Sequence, residues 1–200
     1  MQLKIKIILF LTFSFSLSQF QDSLQIQIPL SKQILWGENG LIRKLNLAPE
    51  SRKAELKLRH KMLKMHQTLG LVTSSMMGYQ YYLGGKLYKG KEVDATIHKY
   101  LGYSIFGTYL TTASLSICAP PAMRYSSGVS SIKLHRFLSY IHFAGMLVMP
   151  YLGYLSAGNL DYVENEIEYN YSNKALEAHR FIGDITFYSF QLAFLITLLP

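Results

Sequence analysis

Cysteine is almost missing, with one residue, Cys118, in a chain of 200. That excludes a disulfide framework and any zinc or iron–sulfur site built on thiolates. Alone in an apolar run, Cys118 reads as an inert interior residue. Tryptophan also occurs once, at Trp36, and acidic residues are scarce, 12 against 20 lysines and arginines. The formal charge of +8 calls for an anionic neighbour. The cations are spread over the amino-terminal part and the loops between apolar runs, which favours anionic lipid over nucleic acid. No phosphate loop, nucleophile elbow or HExxH signature occurs, so hydrolase readings have no support. Channels and transporters call for ionisable residues at mid-membrane or helices broken there. Only Asp184 is an acid well inside an apolar stretch, and it lies near one end of it.

What is abundant is apolar and aromatic. Half the residues are hydrophobic and 14% are aromatic, with 15 tyrosines, a composition at home in a small membrane bundle. The length allows one domain. Residues 1–18 read as a secretory signal, with Lys4 and Lys6, an apolar core from Ile7 to Phe15, and Ser16-Leu17-Ser18 as a small-x-small cleavage site. An uncleaved anchor is the alternative. Residues 19–62 read as an extramembrane segment. In it, Ser23–Pro29 alternates like a short strand and Trp36–Gly40 reads as a turn, with Trp36 suited to the membrane interface. Pro49-Glu50 is expected to open a basic amphipathic helix lying on the headgroups, where Leu56, His60 and Leu63 share helical spacing. His60 there reads as a solvated histidine.

Residues 63–200 hold four stretches long enough to cross a bilayer: Leu63–Leu83, closed by Gly84-Gly85; Thr96–Cys118, closed by Pro120-Pro121; Leu134–Ala157, with Pro150 near its end; and Ala178–Leu199. A serine-rich loop, Ala122 to Lys133, precedes the third. An acidic loop with Asp161, Glu164, Glu166, Glu168 and Glu177 precedes the fourth. Short connections between spans make neighbouring helices antiparallel. The expected fold is all-α, a membrane four-helix up-down bundle behind a signal peptide and a short amino-terminal segment. A signal peptide puts the amino-terminal segment outside the cytoplasm, against the positive-inside bias. A bacterial inner membrane is the expected location.

One phrase recurs in all four stretches: His66-Gln-Thr-Leu-Gly70, His98-Lys-Tyr-Leu-Gly102, His135-Arg-Phe-Leu-Ser139 and His179-Arg-Phe-Ile-Gly183. Imidazole within a bilayer is costly and marks a functional candidate. Alternating entry sides place His66 and His135 near one leaflet and His98 and His179 near the other. Two imidazole pairs at opposite ends of a bundle are what two bis-imidazole metal centres require, and haem iron takes axial imidazole. Gly70, Gly102, Ser139 and Gly183 stand one turn from each ring on the same face, leaving clearance for a flat macrocycle. Close helix packing is the competing explanation of small residues there. His142, seven residues after His135, is a rival ligand, a donor to one, or a purely structural histidine bonded to a helix carbonyl; Thr73, Ile105 and Thr186 hold the equivalent places.

This arrangement resembles the cytochrome b561 family over about residues 60 to 200. Histidine followed four residues later by glycine recurs on that family's haem helices, and it stands here at His66/Gly70, His98/Gly102 and His179/Gly183. Ser139 departs from it. The resemblance implies a four-helix core holding two b-type haems, with His66 paired to His135 and His98 to His179. It also implies an electron donor such as quinol or ascorbate, or a redox protein. Ferric-reductase-like cores, with two histidines on one helix about four turns apart, do not fit, since 60/66 and 135/142 are too close.

The expected function is therefore a transmembrane dihaem b-type cytochrome passing single electrons across or along a membrane. Lys99, Arg136 and Arg180 directly follow candidate ligands. They suit haem propionates or an anionic donor, or snorkel as ordinary helix-end cations. Two alternatives are a membrane anchor or assembly subunit docking redox partners, and a haem-free four-helix scaffold. A homodimer is compatible with any of these.

Overall fold

The computed structural model describes residues 28–91, 93–125, 128, 130–157 and 166–198. The signal segment 1–18, most of the expected strand at 23–29, and Asp161 and Glu164 of the acidic loop lie outside the described residues. The described residues fall into two compact units, one within 1–48 and 121–129, the other within 49–120 and 130–200. All regular structure among the described residues is helical.

The smaller unit carries two short helices, α1 (Leu30–Trp36) and α2 (Leu41–Lys44). The expected turn lies between them. Gly40 sits so close to the Leu35 carbonyl that an added Cβ would meet it at 2.7 Å, which explains a glycine there. Arg43 ties α2 back to α1 by donating Nε–H to the Trp36 carbonyl at 3.1 Å. Trp36 is buried.

Four long helices make up the larger unit: α3 (Arg52–Tyr88), α4 (Ala95–Cys118), α5 (Ser131–Ala157) and α6 (Glu166–Ile196). The first differs from expectation at three points. It starts at Arg52 rather than Pro49 because Ser51 is the N-cap, its hydroxyl accepting from the Ala54 N–H at 3.3 Å. It runs unbroken through residues 62 and 63, so the basic segment and the first apolar stretch are one helix of 37 residues. No proline or glycine interrupts Arg52 to Leu69, and most residues there are good helix formers. It also continues through Gly84-Gly85 and stops at Gly90, which holds φ +62°. There Lys91 N–H reaches the Lys86 carbonyl and Gly90 N–H the Leu87 carbonyl, the paired bonds of a Schellman stop.

Helix α4 begins where expected, with Asp94 accepting from the Thr96 N–H at 2.7 Å, and ends before Pro120. Arg59 of α3 closes that end by donating to the Pro120 carbonyl at 2.7 Å. Helix α5 starts at Ser131, and α6 starts at Glu166, twelve residues before the expected Ala178. Glu166, Glu168 and Glu177 are therefore helical, not loop. The tyrosine- and asparagine-rich run Glu168–Asn173 is polar enough to look like a loop, yet contains neither glycine nor proline to stop a helix.

Packing is cyclic. α3 lies along α4 and α5 along α6, with narrower contacts between α4 and α5 and between α3 and α6. Bonds from Gln80 to His98 and from Ser172 to the Leu155 carbonyl run late-to-early, so neighbours are antiparallel. Between the diagonal pairs, α3/α5 and α4/α6, no described Cα atoms approach within 8 Å. The centre is filled by Met77, Ile105, Tyr109, Met146 and Phe190. One described helix, Ser131–Ala157, is by length and composition apolar enough to cross a membrane.

Candidate functional site

The histidines of the recurrent phrase meet across the open diagonals. His66 on α3 faces His135 on α5 with ring centroids 6.2 Å apart. His98 on α4 faces His179 on α6 at 6.3 Å. The planes are turned by 89° and 71°, a rotation two ligands can adopt about a common axis. Two imidazoles bonded to one first-row metal at about 2 Å each have centroids roughly 6 Å apart. Among the described residues no three His, Cys, Asp or Glu converge. The donor set is two opposed imidazoles, suited to an axial pair and not to an all-protein tetrahedral site.

Each ring addresses a backbone carbonyl on its antiparallel neighbour. His66 Nδ1 lies 2.8 Å from the Thr112 carbonyl, and His135 Nδ1 2.8 Å from that of Ala193. Since carbonyl oxygen only accepts, both Nδ1 atoms carry the proton, and both Nε2 atoms keep a lone pair. The His98 and His179 rings approach the Gln80 and Met149 carbonyls, but their buried Nδ1 atoms make no hydrogen bond of good geometry. Gln80, Thr112, Met149 and Ala193 each lie fourteen residues beyond the histidine of their own helix. Fourteen residues are nearly four turns, so the two levels are roughly 20 Å apart along the axis.

This second repeat is invisible in residue types because the working group is backbone. Its trace is the small residue four positions on: Gly84, Ser116, Gly153 and Thr197. A Cβ on Gly84 would meet His98 Cε1 at 3.1 Å, and one on Gly153 would meet His179 Cε1 at 3.3 Å. Gly85, by contrast, faces open space. Gly84→Val is therefore expected to displace His98, whereas Gly85→Val carries the same change in helix propensity without the clash. Under the haem expectation that the resemblance carries, haem content of the two purified variants checks this, and equal content would remove the positioning role of Gly84.

The residues expected to give clearance differ among themselves. Nothing lies within 4 Å of a Cβ built on Gly70. At Gly102 the added atom meets Gln80 Nε2 at 3.1 Å, and at Gly183 it meets Met149 Cε at 3.4 Å. Ser139 turns its hydroxyl back to the Arg136 carbonyl at 2.7 Å. Lys99 is exposed and Arg136 half-buried. The Arg180 guanidinium stacks on Tyr88 at 3.2 Å from the ring centre.

No protein-family profile, curated protein or solved structure matches this chain.

His142 sits elsewhere. It is 6% exposed, and its Nδ1 shares a hydrogen bond with the Tyr109 hydroxyl, 2.8 Å away. Its ring packs edge-on against Phe190. Thr73, Ile105 and Thr186, in equivalent register, are buried with it at 0%, 3% and 2% exposure. The seventh position after each histidine thus builds the middle layer between the two pairs.

Proposed function

We propose that this chain is an integral-membrane b-type cytochrome that holds two haems and carries single electrons across or along a membrane. The observation that carries the reading is the pair of opposed imidazoles on each open diagonal, at 6.2 and 6.3 Å. His66 and His135 would hold one haem, His98 and His179 the other. Haem iron between two imidazoles supplies a one-electron ferric/ferrous couple. The chain's part is orientation and exclusion of water. Thr112 and Ala193 fix two rings through their Nδ1 protons, Gly70 leaves space beside His66, and the Met77/Tyr109/Phe190 layer keeps the centre dry.

A membrane surrounds the helices in this reading. Their outer faces are apolar, with Leu71, Tyr140, Phe181 and Leu192 more than half exposed. Outward hydroxyls bond within their own helices: Thr68 to the Lys64 carbonyl, Ser75 to Leu71, Ser104 to Tyr100 and Thr111 to Gly107. Such back-bonding lets Ser and Thr face lipid without an unsatisfied group. It would also let α3 and α4, less apolar than α5, cross a bilayer. The proposal includes a multi-pass arrangement in a bacterial inner membrane, in which the expected signal peptide would put the amino-terminal segment outside the cytoplasm. A quinol, an ascorbate-like anion or a redox protein would then serve as donor or acceptor.

The haem-free scaffold has one observation in its favour, since two of the histidines bond backbone carbonyls. Those bonds use only Nδ1 and leave unexplained why the rings oppose each other in pairs. The decisive experiment is a reduced-minus-oxidised spectrum with a haem count on the purified full-length chain. Two haems per chain with b-type absorbance are expected. A colourless preparation from haem-replete cells would sink the proposal, and a colourless chain copurifying with a stable redox partner would point to the anchor reading.

A further inference from the structure

The two ends of the bundle are not equivalent. At the His66/His135 end both Nδ1 protons are bonded. The residues whose carbonyls they address, Thr112 and Ala193, fourteen positions beyond His98 and His179, are small, and Gly70 is open. At the His98/His179 end the corresponding residues are long. Gln80 and Met149 reach into the space beside Gly102 and Gly183.

Gln80 does more than fill space. Its Nε2 donates to the His98 carbonyl at 2.9 Å and lies 3.3 Å from His98 Nε2. That nitrogen is the one that would ligate a metal, and the amide N–H covers its lone pair. The arrangement is poor for Gln80 itself, because its Oε1 is buried without a hydrogen bond, as are Nδ1 of His98 and of His179. Three unsatisfied buried polar atoms at one end, and none of the histidine nitrogens among them at the other, mark a site built for a second arrangement.

We propose that the two histidine pairs fill in order, the His66/His135 pair first, and that Gln80 is the positioning residue that holds the His98/His179 pair shut until its amide leaves His98 Nε2. This rests on the haem reading above. Opening requires only a rotamer change of a flexible side chain. It frees the His98 lone pair for iron and releases Gln80 Oε1 from its unsatisfied position. The incoming ligand is a planar iron porphyrin, which His98 and His179 would hold between them.

The test is a titration of the full-length chain, purified from haem-limited cells in detergent, with ferric haem, followed by absorbance. The native chain is expected to take up one equivalent tightly and a second more weakly. His98→Ala should abolish the weaker step alone. Gln80→Ala should tighten the weaker step about fivefold, the size of effect a single competing hydrogen bond supports. It should leave the tight step unchanged, which also certifies that the variant is folded. Two equal steps in the native chain, or a second step that Gln80→Ala leaves alone or weakens, would overturn the order of filling and the role of Gln80 while leaving the dihaem reading intact. Absence of any uptake by the native chain would remove both.

Discussion

On the dihaem proposal, alanine at His66 or His135 is expected to remove one of two haems and leave the other centre's spectrum in place. Alanine at His98 or His179 should do the reverse. The expectation follows from the pairing across the diagonals: each iron would have two protein ligands, and loss of one leaves a single imidazole to hold the group. His142→Ala is the informative contrast. It strands the hydroxyl of Tyr109, a residue only 3% exposed, whose partner is His142 at 2.8 Å. An unsatisfied buried hydroxyl costs about 1–3 kcal/mol, and the lost ring leaves a cavity beside Phe190. The variant should therefore unfold at lower temperature with its two haems retained. Haem per chain and the low-spin ferric signal separate the cases. If His142→Ala loses a haem while His135→Ala keeps both, the ligand on α5 is His142.

Much of the helical order is legible from residues alone. The apolar stretches and the Pro120 stop are local signals, and local signals place α4 correctly. The ends that shift do so for reasons a pattern cannot rank. Three glycines near the end of α3, at 84, 85 and 90, read alike in a sequence. Only Gly90 takes the left-handed conformation that ends the helix, while Gly84 is required inside it by the His98 ring. At α6 the polar run before Ala178 stays helical because no residue in it breaks a helix.

The candidate site divides in the same way. The four histidines and the small residue one turn further on are visible because side chains carry the repeat. Their carbonyl partners are not, since Gln80, Thr112, Met149 and Ala193 share no chemistry except the peptide group. The Tyr109–His142 bond joins residues 33 apart on two helices, and nothing near either residue announces the other. Knowing the register of one helix against its antiparallel neighbour supplies both.

Gly145→Ala is expected to cause a large loss of stability for a single-methyl change. Gly145 on α5 lies against Thr186 on α6, where an added Cβ would overlap Thr186 Oγ1 and stand 3.0 Å from its Cβ and 3.3 Å from its Cγ2. Thr186 cannot turn away easily. It is 2% exposed, and its hydroxyl is held by the Ile182 carbonyl at 2.6 Å. The helices must move apart, at a cost of about 1–3 kcal/mol or more for overpacking. Alanine in a helix otherwise gains up to about 1 kcal/mol over glycine, so Gly107→Ala, in open space on α4, should be neutral or stabilising. Separation of α5 from α6 also withdraws His135 from Ala193 and His179 from Met149, one histidine from each pair. Thermal midpoint and haem content should therefore fall together in Gly145→Ala, and Thr186→Ala in the same chain should restore much of both. A Gly145→Ala protein as stable and as fully loaded as the native one would show that α5 and α6 do not meet there, and the register on which both histidine pairs depend would have to be redrawn.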